Sequence, residues 1–404
     1  MTRSPFRMYL LTLLLLLLSG AVSVCAFVVI VDPYGLYGAV RREHFNAVKP
    51  GLTRYQSQIK QEHALRLRPQ FIILGNSRAE IGFDPRAAAF SGQGAGYNLA
   101  IPGTGLATSA SQFAQLRQAG AQPRVVIMGV EFVDFLNPAV AQPVRPATVI
   151  APPARGLPFW RFDTLFSLAS VKDAVQTLRI QRDGEAPTLS ADGFNPLREY
   201  GAHVRHDGYH KLFAQRALES AASFQRKSTR GLATGDFHSL RALLLAMAAT
   251  QADIKLVIYP YHAQLLAMLE AAGLWPLFDE WKSRLVLEVA AVKEQHPAAQ
   301  LSLTDFSGFG AYNCERIPAA NDRGAATRWY WEAGHFKKAL GDIVLRRVMS
   351  PMAPGDGQFG MPLDGATLAA NRDRIAQERG SCAAAQPELF LFSRQLFAGQ
   401  KNFQ

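Results

Sequence analysis

The sequence contains no internal repeat and no low-complexity run, and its basic residues are not clustered with aromatic ones. The first absence leaves the chain after Asp32 free to form one large core. The second argues against nucleic acid as a partner, although the formal net charge is +11. Anionic lipid headgroups and acidic glycans also suit such a charge, while scattered solvated side chains are the simpler interpretation.

Metal signatures and cysteines are also scarce. Three closely spaced histidines lack the cysteine or carboxylate that would complete a known metal signature: His203, His206 and His210. We therefore predict no metal and no cofactor. Of the three cysteines, Cys25 lies in an apolar run. Cys314 and Cys382 either form a disulfide, as an oxidising compartment permits, or are two unrelated small apolar residues.

The longest apolar run lies at the N-terminus, from Met8 to Val31, after Arg3 and Arg7. Its length suffices for a helix of about 20 residues or more that crosses a bilayer. With the arginines retained in the cytoplasm, the chain after Asp32 faces the opposite side. We predict that residues 1–31 are a cytoplasmic stub and an uncleaved transmembrane anchor. A cleaved signal peptide is the alternative, but the run exceeds the apolar region of about 7–15 residues that is usual there.

Apolar runs alternate with helix-like stretches along the rest of the chain. The predicted strands are Phe71–Leu74, Val125–Val130, Ile254–Tyr259 and Leu301–Thr304. The helix-like stretches are Ser109–Ala119, Leu240–Thr250, Leu265–Val292 and Ala339–Met349. Such alternation predicts an α/β fold with a parallel sheet flanked by helices.

The same patterns divide the chain after the anchor. Residues 32–66 are predicted to be a connector, and residues 67–350 the main domain. Within that domain, residues 139–235 are rich in Pro, Arg and Gly, and we interpret them as an insertion that covers a crevice as a lid. Residues 351–404 are predicted to be a Gly/Pro-rich tail with one late helix.

The first predicted strand ends in the segment Phe71–Arg78, which reads FIILGNSR. Open α/β sheets place ligands and nucleophiles beyond the carboxyl ends of their strands. Ser77 would there project its hydroxyl into a crevice, and a following helix would offer N–H groups to an oxyanion. Taken alone, Gly-x-Ser after a strand is more often an ordinary turn. Asn76 is expected to shape that turn through a side-chain hydrogen bond.

A second segment, Trp329–Phe336, places Glu332 three residues before His335. An acid at that distance can hold the imidazole, and a serine nucleophile needs such a base and orienter, assembled in space rather than in sequence. We therefore expect Ser77 to attack an acyl carbonyl, His335 to transfer the proton and Glu332 to orient His335. Asp322 is the reserve acid.

An early Gly-Asn-Ser block and a late acid-x-x-His block, in that order, resemble the SGNH/GDSL hydrolase superfamily. The resemblance covers roughly residues 68–350 and implies a three-layer, flavodoxin-like α/β domain. The chain also resembles the membrane-anchored bacterial envelope branch, which includes relatives of the alginate acetylation proteins and of the D-alanyl transfer protein of teichoic acid synthesis.

Two middle segments extend the resemblance. Tyr97–Gly105 is similar to the second family block, which implies that the N–H of Gly103 points into an oxyanion hole. The third block, Gly-x-Asn-Asp, is matched only by a strand and Gly129, because Glu131 stands where the asparagine is expected. A carboxylate donates no hydrogen bond unless it is protonated, so this position departs from the family pattern.

Two further residues are candidates near the crevice. Arg78 directly follows the serine. It either contacts an anionic substrate or donor or, as the simpler interpretation, caps the surface of its own domain. His262 follows the strand that ends at Tyr259. It either lines the site or is a structural or solvated histidine.

The resemblance implies a serine esterase or O-acetyltransferase in the bacterial inner membrane, with its domain in the periplasm. Its expected substrate is a cell-envelope or exported polysaccharide, and a transferase would receive acyl groups from a multi-pass membrane acyltransferase. Transfer and hydrolysis use the same Ser, His and acid, so the residues leave both open. The alternative is a noncatalytic glycan-binding or assembly scaffold, and Glu131 is its main support.

Overall fold

The structure is a computed structural model that describes residues 5–51, 53–138, 159–350 and 359–398. These residues form two compact units. The first comprises the described parts of 1–63, 149–191 and 195–199, and the second comprises those of 64–148, 192–194 and 200–404.

Helices account for much of the described chain. They are α1 (Pro5–Val31), α2 (Gln56–Leu67), α3 (Ser77–Gly82), α4 (Leu106–Gln118), α5 (Phe159–Phe166), α6 (Leu168–Arg179), α7 (Tyr200–Gln225), α8 (Thr234–Ala248), α9 (Ala263–Ala271), α10 (Trp275–Gln295), α11 (Lys338–Met349), α12 (Leu368–Ala385) and α13 (Pro387–Ala398). The strands are β1 (Lys49–Pro50), β2 (Phe71–Leu74), β3 (Gly96–Asn98), β4 (Val125–Val130), β5 (Leu136–Pro138), β6 (Thr188–Leu189), β7 (Lys227–Leu232), β8 (Asp253–Ile258), β9 (Leu301–Asp305), β10 (Tyr330–Glu332), β11 (His335–Phe336) and β12 (Met361–Pro362).

The second unit is built on a six-stranded sheet in the order β12-β9-β8-β4-β2-β3. All its strand pairs are parallel except β12, which runs antiparallel to β9. Every residue of β2 and β4 is buried, as expected of parallel strands that are covered on both faces. The predicted mixed α/β class and its four predicted strands are confirmed.

The strand order has a topological switch point at β2. From β2 the chain passes to β3 on one side and then to β4 on the other side of β2. Ligands bind at such switch points, beyond the carboxyl ends of the strands. Ser77 lies three residues beyond the last residue of β2 and therefore near this point.

The prediction of one helix over Leu265–Val292 is wrong, because α9 ends at Ala271 and α10 begins at Trp275. Gly273 lies between them with a φ of +73°, a conformation that glycine adopts readily just after a helix. Pro276 then occupies the first turn of α10, where no backbone N–H is needed.

The region predicted as a tail contains more structure than expected. Beyond residue 350, β12 extends the sheet, and two helices follow instead of one. Cys382 on α12 forms a disulfide with Cys314. The second unit therefore continues through residues 359–398, whereas 351–358 and 399–404 lie outside the described residues.

The predicted insertion, residues 139–235, is divided between the two units. Helices α5 and α6 belong to the first unit, and α7 and β7 belong to the second. Residues 139–158 lie outside the described residues. The expectation that this segment acts as a lid stays a prediction.

Helix α1 begins the first unit. Its window within Phe6–Val31 has a mean hydropathy of 2.9 and is only 11% buried, so the helix is long and apolar enough to cross a membrane, as anchors and signal sequences both are. Asn46 donates hydrogen bonds to the carbonyl oxygens of Ile30 and Val31 at its end, and Lys49 donates one to that of Asp32. The predicted connector, residues 32–66, is thus partly folded around the end of α1.

Gly82 ends α3 and leaves no room for a side chain. A Cβ atom there would lie 1.9 Å from Cε2 of Phe336. We predict that Gly82→Ala lowers the free energy of unfolding by about 1–3 kcal/mol, because Phe336 must move away from α3. Urea titrations followed by circular dichroism measure this. Gly235→Ala is the matched control, since nothing lies within 4 Å of its Cβ position, and equal stability of the two variants would contradict the close packing.

Candidate active site

Ser77 is the first residue of α3, and its turn is held from several directions. Asn76 accepts the N–H of Arg78 at 3.0 Å, which confirms the predicted role of its side chain. The N–H of Asn76 donates to the hydroxyl of Tyr259 at 3.4 Å. Gly75 has a φ of +142°, and a Cβ there would lie 2.4 Å from that hydroxyl. The turn therefore needs glycine before the serine for both conformation and space.

His335 and Glu332 lie on a hairpin formed by β10 and β11. The two residues pair across its strands, with Ala333 and Gly334 between them. Nδ1 of His335 forms a hydrogen bond with Oε1 of Glu332. Glu332 Oε2 also accepts the N–H of Gly334 at 2.7 Å. The spacing of three residues thus lets the acid hold the imidazole within one turn of chain.

The structure brings the three sequence-predicted residues together. Nε2 of His335 lies 2.8 Å from Oγ of Ser77. Burial opposes ionisation of Glu332, but the charge and hydrogen bond of His335 and the N–H of Gly334 outweigh it and hold the pKa of Glu332 at about 2. An ionised carboxylate only accepts hydrogen bonds, so Nδ1 of His335 carries a proton. In the neutral ring, Nε2 is then free to accept the hydroxyl proton of Ser77.

The exposure of the Glu332, His335 and Ser77 side chains suits a reaction at Ser77. The side chain of Glu332 is 2% exposed and that of His335 is 23% exposed. Ser77 is also partly exposed. The acid is therefore shielded from water, while the nucleophile and the base are accessible to another molecule.

Asn98, at the end of β3, holds the opposite end of the serine helix. Its buried side chain donates to the carbonyl oxygens of Ala79 and Phe83, both at 2.8 Å. It thereby satisfies acceptors at the C-terminal end of α3. Asn98 lies in the family-like block Tyr97–Gly105, but its role as this cap was not predicted from the sequence. A polar residue that ends a short apolar strand was the available signal.

Glu131 lies beyond β4, the neighbour of β2, and is 4% exposed. It forms a buried ion pair with Arg78. Asn76 Nδ2 and the hydroxyl of Tyr261 also donate to it, at 3.3 and 3.1 Å. Burial opposes the charge of Arg78, but Glu131 together with the neighbouring Tyr261 and Glu332 outweighs it, and the pKa of Arg78 is raised. Arg78 is thus the buried partner of Glu131 and does not serve as a surface cap.

A second acid was missed near Glu131. Asp134 is largely buried, and this burial together with the charge of Glu131 raises its pKa to about 7. A Cβ at Gly105 would lie 3.3 Å from its Oδ2, so Asp134 borders the loop after β3. Only the fold brings this loop beside Asp134, and the sequence carries no signal for it.

His262 is a structural residue, which corrects the expectation that it lines the crevice. It is fully buried, and Nδ1 accepts the N–H of Gln264 at 3.1 Å as the cap of α9. Its Nε2 bonds the carbonyl oxygen of Glu315 at 2.8 Å. Burial lowers the pKa of His262 to about 4, so the ring is neutral.

The remaining candidates occupy exposed positions. Gly103 lies in a turn after β3 with a φ of +70°. Its loop is joined to the serine turn, because the N–H of Ile101 donates to the carbonyl oxygen of Gly75 at 3.1 Å. Asp322 is exposed and accepts the N–H of Ala325, so Glu332 and not this reserve acid contacts His335. Across the described ranges, no group of three or more His, Cys, Asp or Glu side chains is gathered as a metal site.

The lowered pKa of Glu332 predicts that the free energy of unfolding depends on pH. Folding lowers this pKa from 4.5 to about 2. The resulting stability is fully present above pH 4.5 and is lost as the pH falls toward 2. We expect the free energy of unfolding of wild type to exceed that of Glu332→Gln by roughly 2–4 kcal/mol at pH 5, with the gap closing as the pH falls through that window. Urea unfolding at a series of pH values measures it. Glu294→Gln, at an exposed acid on α10, is the control, and a gap that stays constant down to pH 2 would contradict the prediction.

The Arg78–Glu131 ion pair predicts that a second substitution restores stability lost through the first. Glu131→Ala leaves a buried guanidinium without its carboxylate and should lower the free energy of unfolding by about 3–5 kcal/mol. Removing both charges, as in Arg78→Met with Glu131→Gln, should restore most of that loss. Urea unfolding of the single and double variants decides this. A double variant no more stable than Glu131→Ala would show that the pair is not the source of the loss.

No known protein-family model and no curated protein matches this sequence. The functional interpretation therefore depends on the geometry of the site.

Proposed function

We propose that the chain is an SGNH/GDSL-like serine acyl-enzyme, an O-acetyltransferase or acetylesterase for a cell-envelope or exported polysaccharide. The observation that carries the proposal is the hydrogen-bonded row of Ser77, His335 and Glu332. Ser77 and His335 are 258 positions apart in the sequence, so their contact at 2.8 Å depends on the whole fold of the second unit. A nucleophile, a base and an acid in this order are the groups that serine acyl transfer requires.

The first half of the reaction forms an ester on the serine. Oγ of Ser77 attacks the acyl carbon while Nε2 of His335 takes the hydroxyl proton, and the carbonyl electron pair moves to oxygen. When the tetrahedral intermediate collapses, the leaving alcohol takes the proton from His335. Glu332 stays ionised throughout and stabilises the imidazolium.

The second half resolves that ester. Water or a sugar hydroxyl attacks the acyl carbon, and His335 takes its proton. Collapse of the second intermediate returns that proton to Oγ of Ser77 and releases an acid or a new sugar ester. Both outcomes use the same three side chains, so the identity of the acceptor decides between hydrolysis and transfer.

The oxyanion needs donors on the other side of the acyl carbon. The N–H groups in the first turn of α3 and that of Gly103 fill this role in our proposal. Glu131 supplies no such donor. We assign the donor role of the family asparagine to the guanidinium of Arg78, which Glu131 holds in place. The Nη2 atom of Arg78 lies 3.5 Å from the Cβ position of Gly334, so this group borders the catalytic hairpin.

Two further features support an envelope polysaccharide as the substrate. Helix α1 suits an anchor in the bacterial inner membrane, with the site in the periplasm and a multi-pass membrane acyltransferase as the source of acyl groups. Tyr200 and Trp331 are partly exposed rings whose centroids lie 5.7 Å apart, and Trp331 adjoins Glu332. Aromatic rings of this kind provide apolar faces on which sugars stack.

A noncatalytic glycan-binding or assembly scaffold is the second candidate. Its specific support is Glu131, a buried acid where the family has a donor, fully engaged by Arg78 and Tyr261. In such a scaffold, the hydrogen bond between Ser77 and His335 would be present but would have no catalytic role.

The two candidates predict different behaviour of the full chain in detergent. For an enzyme, Ser77→Ala should reduce acetyl release from para-nitrophenyl acetate by about 10³-fold or more and abolish labelling by a fluorophosphonate. Mass spectrometry should find the acyl adduct on Ser77, and added oligosaccharide distinguishes transfer from hydrolysis. Ser91→Ala, at an exposed serine outside the site, is the matched control. Wild type indistinguishable from Ser77→Ala, with no adduct, would favour the scaffold.

A further inference from the structure

Helix α5 in the first unit has its apolar stripe on the outside. Phe159, Phe162 and Phe166 follow one helical face, and their exposed fractions are 77%, 57% and 44%. Leu168, just beyond the helix, is 91% exposed. A helix on the surface of a water-soluble domain normally turns such a stripe toward the core.

The polar residues of α5 face inward instead. Asp163 accepts hydrogen bonds from Arg54 and from the hydroxyl of Tyr55, both at 2.9 Å. Thr164 is fully buried and lies 3.3 Å from the hydroxyl of Tyr37. The outward direction of the phenylalanines is therefore fixed by bonds on the opposite face.

Helix α1, the membrane anchor of the proposed function, indicates which medium this stripe meets. Its 27 residues span about 40 Å, whereas a bilayer core is about 30 Å thick. With Phe6 at one boundary, the last two turns of α1 reach the opposite interface. Val28 and Val31 in those turns pack against Ala174 of α6, and α1 also contacts α5. The stripe of α5 thus lies beside the point where α1 leaves the hydrocarbon.

We propose that α5 is a second membrane contact, which inserts Phe159, Phe162, Phe166 and Leu168 among the lipids at the interface where α1 emerges. Amphipathic helices bind bilayers in this way, with aromatic residues in the acyl boundary and basic residues among the headgroups. Arg161, which is ion-paired with Glu62, lies between the phenylalanines and is 44% exposed, and Lys172 and Arg179 on α6 are exposed in the same unit. The proposal rests on α1 as a membrane anchor, which belongs to the proposed function, but it does not depend on the activity of the second unit.

Site-directed fluorescence on the full chain tests this in liposomes of phosphatidylcholine and phosphatidylglycerol. In a Cys25→Ala background, Phe162→Cys offers one thiol for an NBD label, because the other two cysteines are disulfide-bonded. The matched control is Leu287→Cys, at a residue of α10 that is 64% exposed. Phe166→Cys repeats the measurement on the same stripe, and circular dichroism verifies that each variant is folded.

We expect blue-shifted emission at position 162 and quenching by shallow doxyl-labelled lipids at least about twofold stronger than at position 287. Quenching no stronger than at position 287 would overturn the proposal. Blue-shifted emission without lipid quenching would also overturn it, because the stripe would then be covered by protein, either another part of this chain or a second copy.

Discussion

The close approach of Phe336 to α3 is the constraint on which the candidate site depends. Gly82 has no side chain, so the ring of Phe336 packs against the helix that begins with Ser77. His335 precedes that ring in the same strand. A shift of about 1 Å in this contact would be passed directly to the bond between His335 and Ser77, because both residues are fixed to the packed elements. The hairpin is short, and the packing of Phe336 against α3 helps to fix its position.

Two buried carboxylates, Glu332 and Glu131, lie at the candidate site, and their partners differ. Glu332 contacts the imidazole of His335 and a backbone N–H, so its charge can stabilise a proton that His335 gains. Glu131 forms an ion pair with Arg78 and accepts hydrogen bonds from two neutral groups, those of Asn76 and Tyr261. The first arrangement suits a group that must follow proton transfer, and the second suits a group that must hold an arginine in place. Burial alone does not distinguish these roles; the partners do.

The sequence allowed the centre of the sheet and the serine row to be predicted, because each depends on a local pattern. Buried parallel strands are continuous apolar runs, and Glu332 and His335 are three residues apart in any conformation of that hairpin. The short strands β3 and β12 have too few residues for a pattern, and the break between α9 and α10 depends on the left-handed conformation of Gly273. The pairing of Arg78 with Glu131 and the cap by Asn98 were missed because these contacts join segments far apart in the chain.

The disulfide between Cys314 and Cys382 closes a covalent ring around this arrangement. The two cysteines are 68 positions apart, and both Glu332 and His335 lie between them. Such a ring removes unfolded-chain entropy worth roughly 4 kcal/mol. Reduction would return that freedom to the unfolded chain and so destabilise the fold that brings the base and the acid to the nucleophile. The stability of the unit that carries the candidate site therefore depends on whether these two cysteines are oxidised.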